Sequence, residues 1–212
     1  METRFTVHNG SGCLGGIVMK VPGQHNVKNA LATIAVALEM EIPFGTIAEA
    51  LALFAGVYRR FEIKGERDGV LVIDDYGHHP TEIEATLKAA KDAFGRRVVA
   101  VFQPHLYSRT RDFHRDFGAS FYQADVLMVT DIYPAREQPI DGVTGELLYL
   151  ALRRRGHLDV NYVPDWRMLP EIAQMLVRPG DLVVVLGAGP VHEVGEMLVR
   201  GLAGGQTACT VQ

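Results

Sequence analysis

Cysteine is scarce in this 212-residue chain, and long apolar runs are absent. It contains two cysteines, Cys13 and Cys209, which lie near opposite termini and form neither a disulfide framework nor a metal-binding spacing. No apolar run approaches the roughly 20 residues that cross a bilayer, and the polar N-terminus does not resemble a signal peptide. We therefore expect a cytoplasmic protein in a reducing compartment, without a membrane partner.

The chain also lacks an excess of positive charge. Its 21 lysines and arginines are outnumbered by 25 aspartates and glutamates, which gives a net charge of −4. Without a basic field to attract phosphate backbones, we expect no nucleic-acid partner. The sequence G-x-x-x-x-G-K-[ST] is absent as well, so the chain does not cradle the β and γ phosphates of a nucleotide in that way.

What is present divides into two parts. In the first, weakly alternating residues flank the turn signal Asn9-Gly10 and predict a hairpin. Apolar residues at helical spacing then predict one helix from Val27 to Leu38 and a shorter one over about 44–54. A unit this small buries little core, so we expect residues 1–58 to be part of a larger domain.

The second part, residues 59–212, alternates apolar strands with amphipathic helices. The predicted strands are Val70 to Ile73, Val98 to Phe102, Val126 to Thr130, Val160 to Val163 and Leu182 to Leu186. Single helices between such strands predict an α/β, Rossmann-like, three-layer domain with a mostly parallel sheet. We expect a capping box of Thr81 and Glu84 on its first helix, and a frayed tail from Ala203.

The run from Asp74 to Glu82 follows the first of these strands and is rich in chemistry-bearing side chains. In an open α/β sheet the carboxyl ends of strands are where ligands bind. A structural turn would explain the aspartates and Pro80, but it requires neither Tyr76 nor the histidines at 78 and 79. Zinc is the rival interpretation, which we disfavour because adjacent histidines point in different directions and no H-x-x-x-H or C-x-x-C spacing adds ligands. We expect no metal ligands here.

A second polar cluster, from His105 to Arg111, follows the next strand. Its hydroxyls, imidazole and guanidiniums near a helix N-terminus predict an anion site. A solvated basic helix start is the alternative, and it fits Arg111 better than Arg109. By composition, the pair Arg59-Arg60 predicts an exposed linker, or a hinge-side arginine that reaches a phosphate. Gly187-Ala188-Gly189 predicts a tight turn, because no acidic residue follows at the dinucleotide spacing.

Together, these segments resemble the Mur ligases. The resemblance rests on five stretches, which are Pro22 to Ala30, Gly56 to Glu62, Asp74 to Glu82, Phe102 to Thr110 and Tyr133 to Glu137. The stretch after the second strand is most similar to the alanine-adding members. The resemblance implies the end of a central ATPase domain at 1–58, without its P-loop, and a C-terminal Rossmann-like domain at 59–212. We expect such a fragment to be inactive alone, and its incomplete domain to allow homo-association.

The resemblance also implies chemistry. Family members use ATP with Mg to convert a carboxylate into an acyl phosphate, which an amino group attacks, and the alanine-adding members use L-alanine and UDP-N-acetylmuramate. By position, the nucleotide-binding residues would be His25, Asn26, Asn29, Arg60, Asp75 and Tyr76. The substrate-binding residues would be Tyr76, His78, His105, Tyr107, Ser108 and Arg109, with His78, Arg109 and Arg60 catalytic. A murein-peptide ligase relative, a stand-alone nucleotide-binding module and a metal-dependent hydrolase are the alternatives.

Overall fold

A small α/β unit forms the first part of the computed structural model, which describes residues 2–157 and 159–202. Strands β1 (Thr3–Asn9) and β2 (Gly12–Met19) pair antiparallel, and helices α1 (Gln24–Glu39) and α2 (Phe44–Leu53) follow. The Asn9 side chain accepts a hydrogen bond from the Ser11 N–H at 2.9 Å and closes the turn. Val7, Ile17, Ile34 and Ile47 are buried together in the core of this unit. The predicted hairpin and both predicted helices are confirmed.

A six-stranded sheet organises the second part. Its elements are β3 (Glu62–Arg67), β4 (Val70–Asp75), α3 (Pro80–Phe94), β5 (Val98–Phe102), α4 (Tyr107–Ser120), β6 (Val126–Val129), α5 (Gly145–Arg154), β7 (Val160–Tyr162), a 3-10 turn (Trp166–Met168), α6 (Leu169–Leu176), β8 (Leu182–Leu186) and α7 (His192–Leu202). The strand order is β3-β4-β8-β5-β6-β7, and every pair except β3 with β4 is parallel. The predicted mostly parallel sheet is confirmed.

Helices cover both faces of this sheet because its central strands are apolar on both sides. One core joins the sheet to α3, α4 and α5 through side chains such as Leu87, Phe117 and Leu148. The other joins it to α6 and α7 through Leu169, Val194 and others. The three-layer arrangement expected from the sequence is therefore confirmed. No helix in the described part of the chain is long and apolar enough to cross a bilayer.

Strand β3 was not predicted, and it forms the antiparallel edge of the sheet. Asp68 and Gly69 join it to β4 with φ values of 51° and 77°, the positive pair that a two-residue hairpin turn requires. The Asp-Gly dipeptide was thus the available signal. It is easily overlooked because β3 has no buried residue and carries no apolar run.

The predicted capping box on α3 is wrong in its residues. His79 is the N-cap, and its Nδ1 accepts from the Thr81 N–H at 3.4 Å. The Glu82 carboxylate in turn accepts from the His79 N–H at 3.1 Å. The helix begins earlier than predicted because Pro80 suits the first helical position, where no N–H is needed. The tail predicted from Ala203 lies outside the described residues.

Strand register brings the carboxyl ends of the central strands to one edge. Asp75 of β4 and Phe102 of β5 both align with Leu186 of β8, and Phe102 also aligns with Val129 of β6. The loops that follow these four strands therefore meet at this edge, beside the small N-terminal unit.

Candidate functional site

A cleft of about 930 Å³ lies between the small N-terminal unit and the edge of the sheet. Apolar side chains of α1 and α2, such as Ala30 and Ile47, form much of its wall. Its polar lining includes His25, Asn26, Asn29, Arg60 and Asp75. Five of the six residues predicted for nucleotide binding therefore border one cavity, although they come from segments up to 50 positions apart in sequence.

The start of α1 supplies the first three of these side chains. Asn26 uses its Nδ2 to donate to the Pro22 carbonyl at 2.7 Å, which fixes the turn into the helix. His25 is half-buried, and burial lowers the pKa of its imidazole, with the nearby Arg60 acting in the same direction and Asp75 opposing it. His25 is thus favoured as a neutral ring on the cleft wall.

Asp74 and Asp75 end β4, and both are buried. Asp75 accepts from the Phe61 N–H at 2.8 Å and from the Gly77 N–H at 2.7 Å, one bond to each carboxylate oxygen. These bonds hold the residue before β3 and the loop after β4. Burial raises the pKa of Asp75, although the two N–H donors oppose the rise. The structure therefore gives Asp75 a clear role in shaping the cleft.

Tyr76 and His78 connect the cleft to a second group of polar side chains. The Arg60 guanidinium lies 5.4 Å from the Tyr76 ring centroid, within cation–π range. Tyr76 meets His78 edge-on at 5.3 Å between centroids. His78 Nδ1 lies 2.9 Å from the Tyr76 carbonyl oxygen, which can only accept, so Nδ1 carries the proton. A neutral His78 therefore has its lone pair on Nε2.

His105 has the opposite arrangement. The Arg109 Nη1 donates to His105 Nδ1 at 2.9 Å, so a neutral His105 carries its proton on Nε2. Burial lowers the pKa of His105, and the adjacent His78 and Arg109 lower it further. The two imidazoles lie 5.3 Å apart between centroids, and His105 also stacks on Tyr133. Neutral His78 thus offers a hydrogen-bond acceptor at Nε2, whereas neutral His105 offers a donor at Nε2.

The N-terminus of α4 is occupied by a carboxylate from the same chain. Glu137 accepts from the Ser108 N–H at 2.9 Å and from the Ser108 hydroxyl, and hydrogen bonding by Ser108 lowers the pKa of Glu137. The anion expected at this helix start is therefore partly supplied by Glu137. Tyr107 begins the helix and, within the described residues, makes no hydrogen bond or ring contact through its side chain.

The exposed linker expected at Arg59-Arg60 is wrong for Arg59. Only 9% of Arg59 is exposed, and its Nε lies 3.1 Å from Asp74 Oδ2. Composition could not reveal this pairing, because it joins positions 15 residues apart across a turn. Arg60, in contrast, is exposed on the cleft side.

Tyr133 and Glu137 are two further site residues that were not predicted as such. Both follow β6, whose carboxyl end lies at the same edge as those of β4 and β5. The stretch from Tyr133 to Glu137 was already notable in the sequence, and its position after a strand was the signal that could have assigned it to the site.

The Gly187-Ala188-Gly189 segment is a tight turn, as predicted. A Cβ at Gly187 would lie 3.0 Å from the Gln103 carbonyl oxygen, and one at Gly189 would lie 2.5 Å from Gln103 Oε1. These glycines are explained by close packing against the loop after β5. Among residues 2–157 and 159–202, no three histidine, cysteine or acidic side chains are grouped as a metal site would require.

Comparison with known proteins assigns the chain to a family. The model of the family described as "Mur ligase, glutamate ligase domain" matches residues 59–189. The chain belongs to the Mur ligase family. The match starts at the buried Arg59 and ends at Gly189, and so includes the whole sheet edge described above.

Individual relatives agree with this assignment. A UDP-N-acetylmuramate--L-alanine ligase from Geotalea uraniireducens is 51% identical over 202 residues, and one from Geobacter sp. strain M21 is 54% identical over 201. These alignments cover 95% and 94% of this chain but 44% of each relative. The chain thus spans less than half the length of the curated relatives it matches.

Among solved structures, the UDP-N-acetylmuramate-alanine ligase of Thermotoga maritima is similar with a TM-score of 0.79 at 30% identity. The superposition covers 96% of this chain and 43% of that one. Both the small N-terminal unit and the sheet domain are therefore present in that ligase.

Proposed function

We propose that this chain supplies the C-terminal share of an ATP-dependent ligase that joins L-alanine to UDP-N-acetylmuramate in peptidoglycan synthesis. The observation that carries the proposal is that two groups of side chains meet at one sheet edge. The cleft group borders the small unit, the imidazole group lies beyond it, and Tyr76 lies between Arg60 and His78. The names of relatives at 51% and 54% identity support the same reaction. We propose a cytoplasmic location for it.

We divide the chain into residues 1–58, the end of a central ATPase domain, and residues 59–212, the C-terminal domain. The separate cores of the two parts support this division. The family match, which begins at residue 59, supports it as well.

The cleft is the proposed site for the nucleotide. Apolar walls suit the faces of an adenine, and the amides of Asn26 and Asn29 suit its polar edge. Arg60 offers a cation to phosphate oxygens. ATP, when bound, supplies the phosphoryl group that activates a carboxylate. We assign no ligand from this chain to the Mg that accompanies ATP.

The imidazole group is the proposed site for L-alanine and the muramoyl carboxylate. A zwitterionic amino acid presents an ammonium donor and a carboxylate acceptor. His78 Nε2 can accept a hydrogen bond from the ammonium group. The ammonium must lose a proton before its nitrogen can attack. His105 Nε2–H and the Arg109 guanidinium can donate to carboxylate oxygens. Tyr107 and Ser108 follow His105 at the start of α4 and are proposed to bind substrate as well, and the Glu137 contact keeps Ser108 oriented.

A chimeric ligase tests the proposal. In it, this chain replaces the 201 matching residues of the Geobacter sp. strain M21 relative. We expect ATP-dependent formation of UDP-N-acetylmuramoyl-L-alanine, detected by mass spectrometry. The control is the same relative with these residues deleted. A chimera that folds and yields no alanyl product would contradict the proposal.

A further inference from the structure

Arg59 is a buried cation at the site edge that the proposed reaction does not use. Its Nη2 donates to the Gly187 carbonyl at 2.6 Å, and its Nε to Asp74 at 3.1 Å. The same guanidinium lies 5.0 Å from the Tyr76 ring centroid. One side chain therefore contacts the end of β4, the Tyr76 ring just after it and the segment that follows β8.

The backbone around Arg59 is held just as firmly. Its N–H donates to Glu62 at 2.9 Å, and its carbonyl accepts from the Tyr76 N–H at 2.7 Å. Arg59 and Phe61 have φ values of 57° and 50°, in the left-handed region that non-glycine residues rarely adopt. Such a conformation persists only where surrounding contacts impose it.

Arg60 lies between these two left-handed residues, and its direction follows from theirs. It borders the cleft, 5.4 Å from the Tyr76 ring centroid, and it influences the pKa of His25 and of Asp75. A change in the turn would swing the Arg60 side chain relative to both groups.

We propose that Arg59 is a positioning residue, whose buried contacts with Asp74 and the Gly187–Gly189 turn fix the backbone at residues 59–61 and aim Arg60 into the cleft. The inference rests on the proposed function only for the phosphate-facing role of Arg60. A purely structural ion pair would stabilise the chain without setting where Arg60 lies.

The pKa of His25, measured by NMR titration of the 212-residue chain, distinguishes these two roles. Among the charged groups, Asp75 raises the pKa of His25 and Arg60 lowers it. Arg60→Met should raise this pKa by removing the cation. The double variant Arg59→Met/Asp74→Asn removes both buried charges, and we expect it to raise the pKa of His25 comparably because Arg60 is displaced.

Two further variants complete the design. Arg59→Lys keeps the charge beside Asp74 but loses the planar fork that serves two acceptors, so a smaller shift in the same direction is expected. Arg67→Met, at the far end of β3, should leave the pKa of His25 unchanged. In the chimeric ligase, Arg59→Lys should lower kcat/KM for ATP by about tenfold to a hundredfold.

The proposal is overturned if Arg60→Met leaves the pKa of His25 unchanged, or if an Arg59 variant that folds retains the native value. Thermal unfolding of each variant identifies which ones fold. A chimera without ligase activity would remove the role of Arg60 in the reaction but not the His25 result, so the two failures are distinguishable.

Discussion

At the scale of single residues, Arg109 is one of the groups that lower the pKa of His105, after burial and the neighbouring His78. It donates to His105 Nδ1 at 2.9 Å, and it adds to the effect of burial in lowering the pKa of that ring. Arg109→Ala removes a neighbouring cation and opens the ring to water, so the pKa of His105 should rise towards its ordinary value of about 6.5. NMR titration of the histidine ring protons measures it.

Arg111→Ala is the matched control, because Arg111 is exposed on the same helix and pairs with Asp112. It should leave the pKa of His105 unchanged. In the chimeric ligase, Arg109→Ala should lower turnover strongly but the melting temperature only slightly, since the contacts of Arg109 are polar and half-exposed. Native turnover with a lowered melting temperature would contradict this assignment.

Asp74 balances the buried charge of Arg59. Burial raises the pKa of Asp74 despite this cation, and its Oδ1 has no hydrogen-bond partner among the described residues. Asp74→Ala would leave the guanidinium buried and unpaired, which should lower the free energy of unfolding by about 3–5 kcal/mol. Urea unfolding of the chain measures the loss.

Asp116→Ala is the control for this prediction, since Asp116 is exposed on α4. Its effect should stay within about 0.5 kcal/mol. If Asp74→Ala lowered the free energy of unfolding as little as Asp116→Ala, the buried pair would contribute little to stability.

Only part of the site was predictable at this scale. His78 follows β4 in the sequence, and His105 and Arg109 follow β5. Their position at the same edge could therefore be predicted from the parallel sheet. Arg59 was not predictable as a buried residue, because its burial depends on two carbonyls more than 120 positions away. The opposite tautomers of His78 and His105 likewise depend on contacts that spacing does not reveal.

At the scale of elements, the start of α3 depends on Glu82. Its carboxylate accepts from the backbone N–H groups of His78 and His79 at 3.0 and 3.1 Å. Glu82→Ala should lower the free energy of unfolding by about 1 kcal/mol, the usual cost of losing a helix cap. Glu84→Ala should cost much less, because Glu84 lies two residues further along the helix and is exposed.

The pH dependence of this loss has a definite sign. Burial raises the pKa of Glu82, but the His78 and His79 N–H groups and the charge of Arg60 outweigh it and lower the net value. The stabilisation is therefore present above the ordinary glutamate pKa and disappears as pH falls through the lowered one. A difference between wild type and Glu82→Ala that grows at acidic pH would contradict the capping role.

Element prediction succeeded where apolar runs are unambiguous. Val98–Phe102 and Leu182–Leu186 coincide with the predicted strands, because both are buried on two faces and bounded by polar residues. Predictions were weaker where solvent-exposed residues leave no clear apolar pattern. Strand β3 and the first turn of α3 depend instead on an Asp-Gly turn and on a histidine cap.

At the scale of the whole molecule, the chain holds only part of the proposed reaction site. Its sequence has no P-loop, so the purified 212-residue chain should show no ATP-dependent ligation of L-alanine. Calorimetry with ADP should also detect no sub-micromolar binding. Tight binding of ADP without ligation would favour a stand-alone nucleotide-binding module, and ligation by the chain alone would contradict the proposed division of the site.

The fate of one oxygen atom in the chimeric ligase tests the central claim most directly. UDP-N-acetylmuramate labelled with ¹⁸O in its carboxylate is incubated with ATP, Mg and L-alanine, and the phosphate released is analysed by mass spectrometry. Reaction through an acyl phosphate predicts one labelled oxygen in each phosphate, in an amount equal to the alanyl product formed. Unlabelled phosphate, or no alanyl product, would contradict the account.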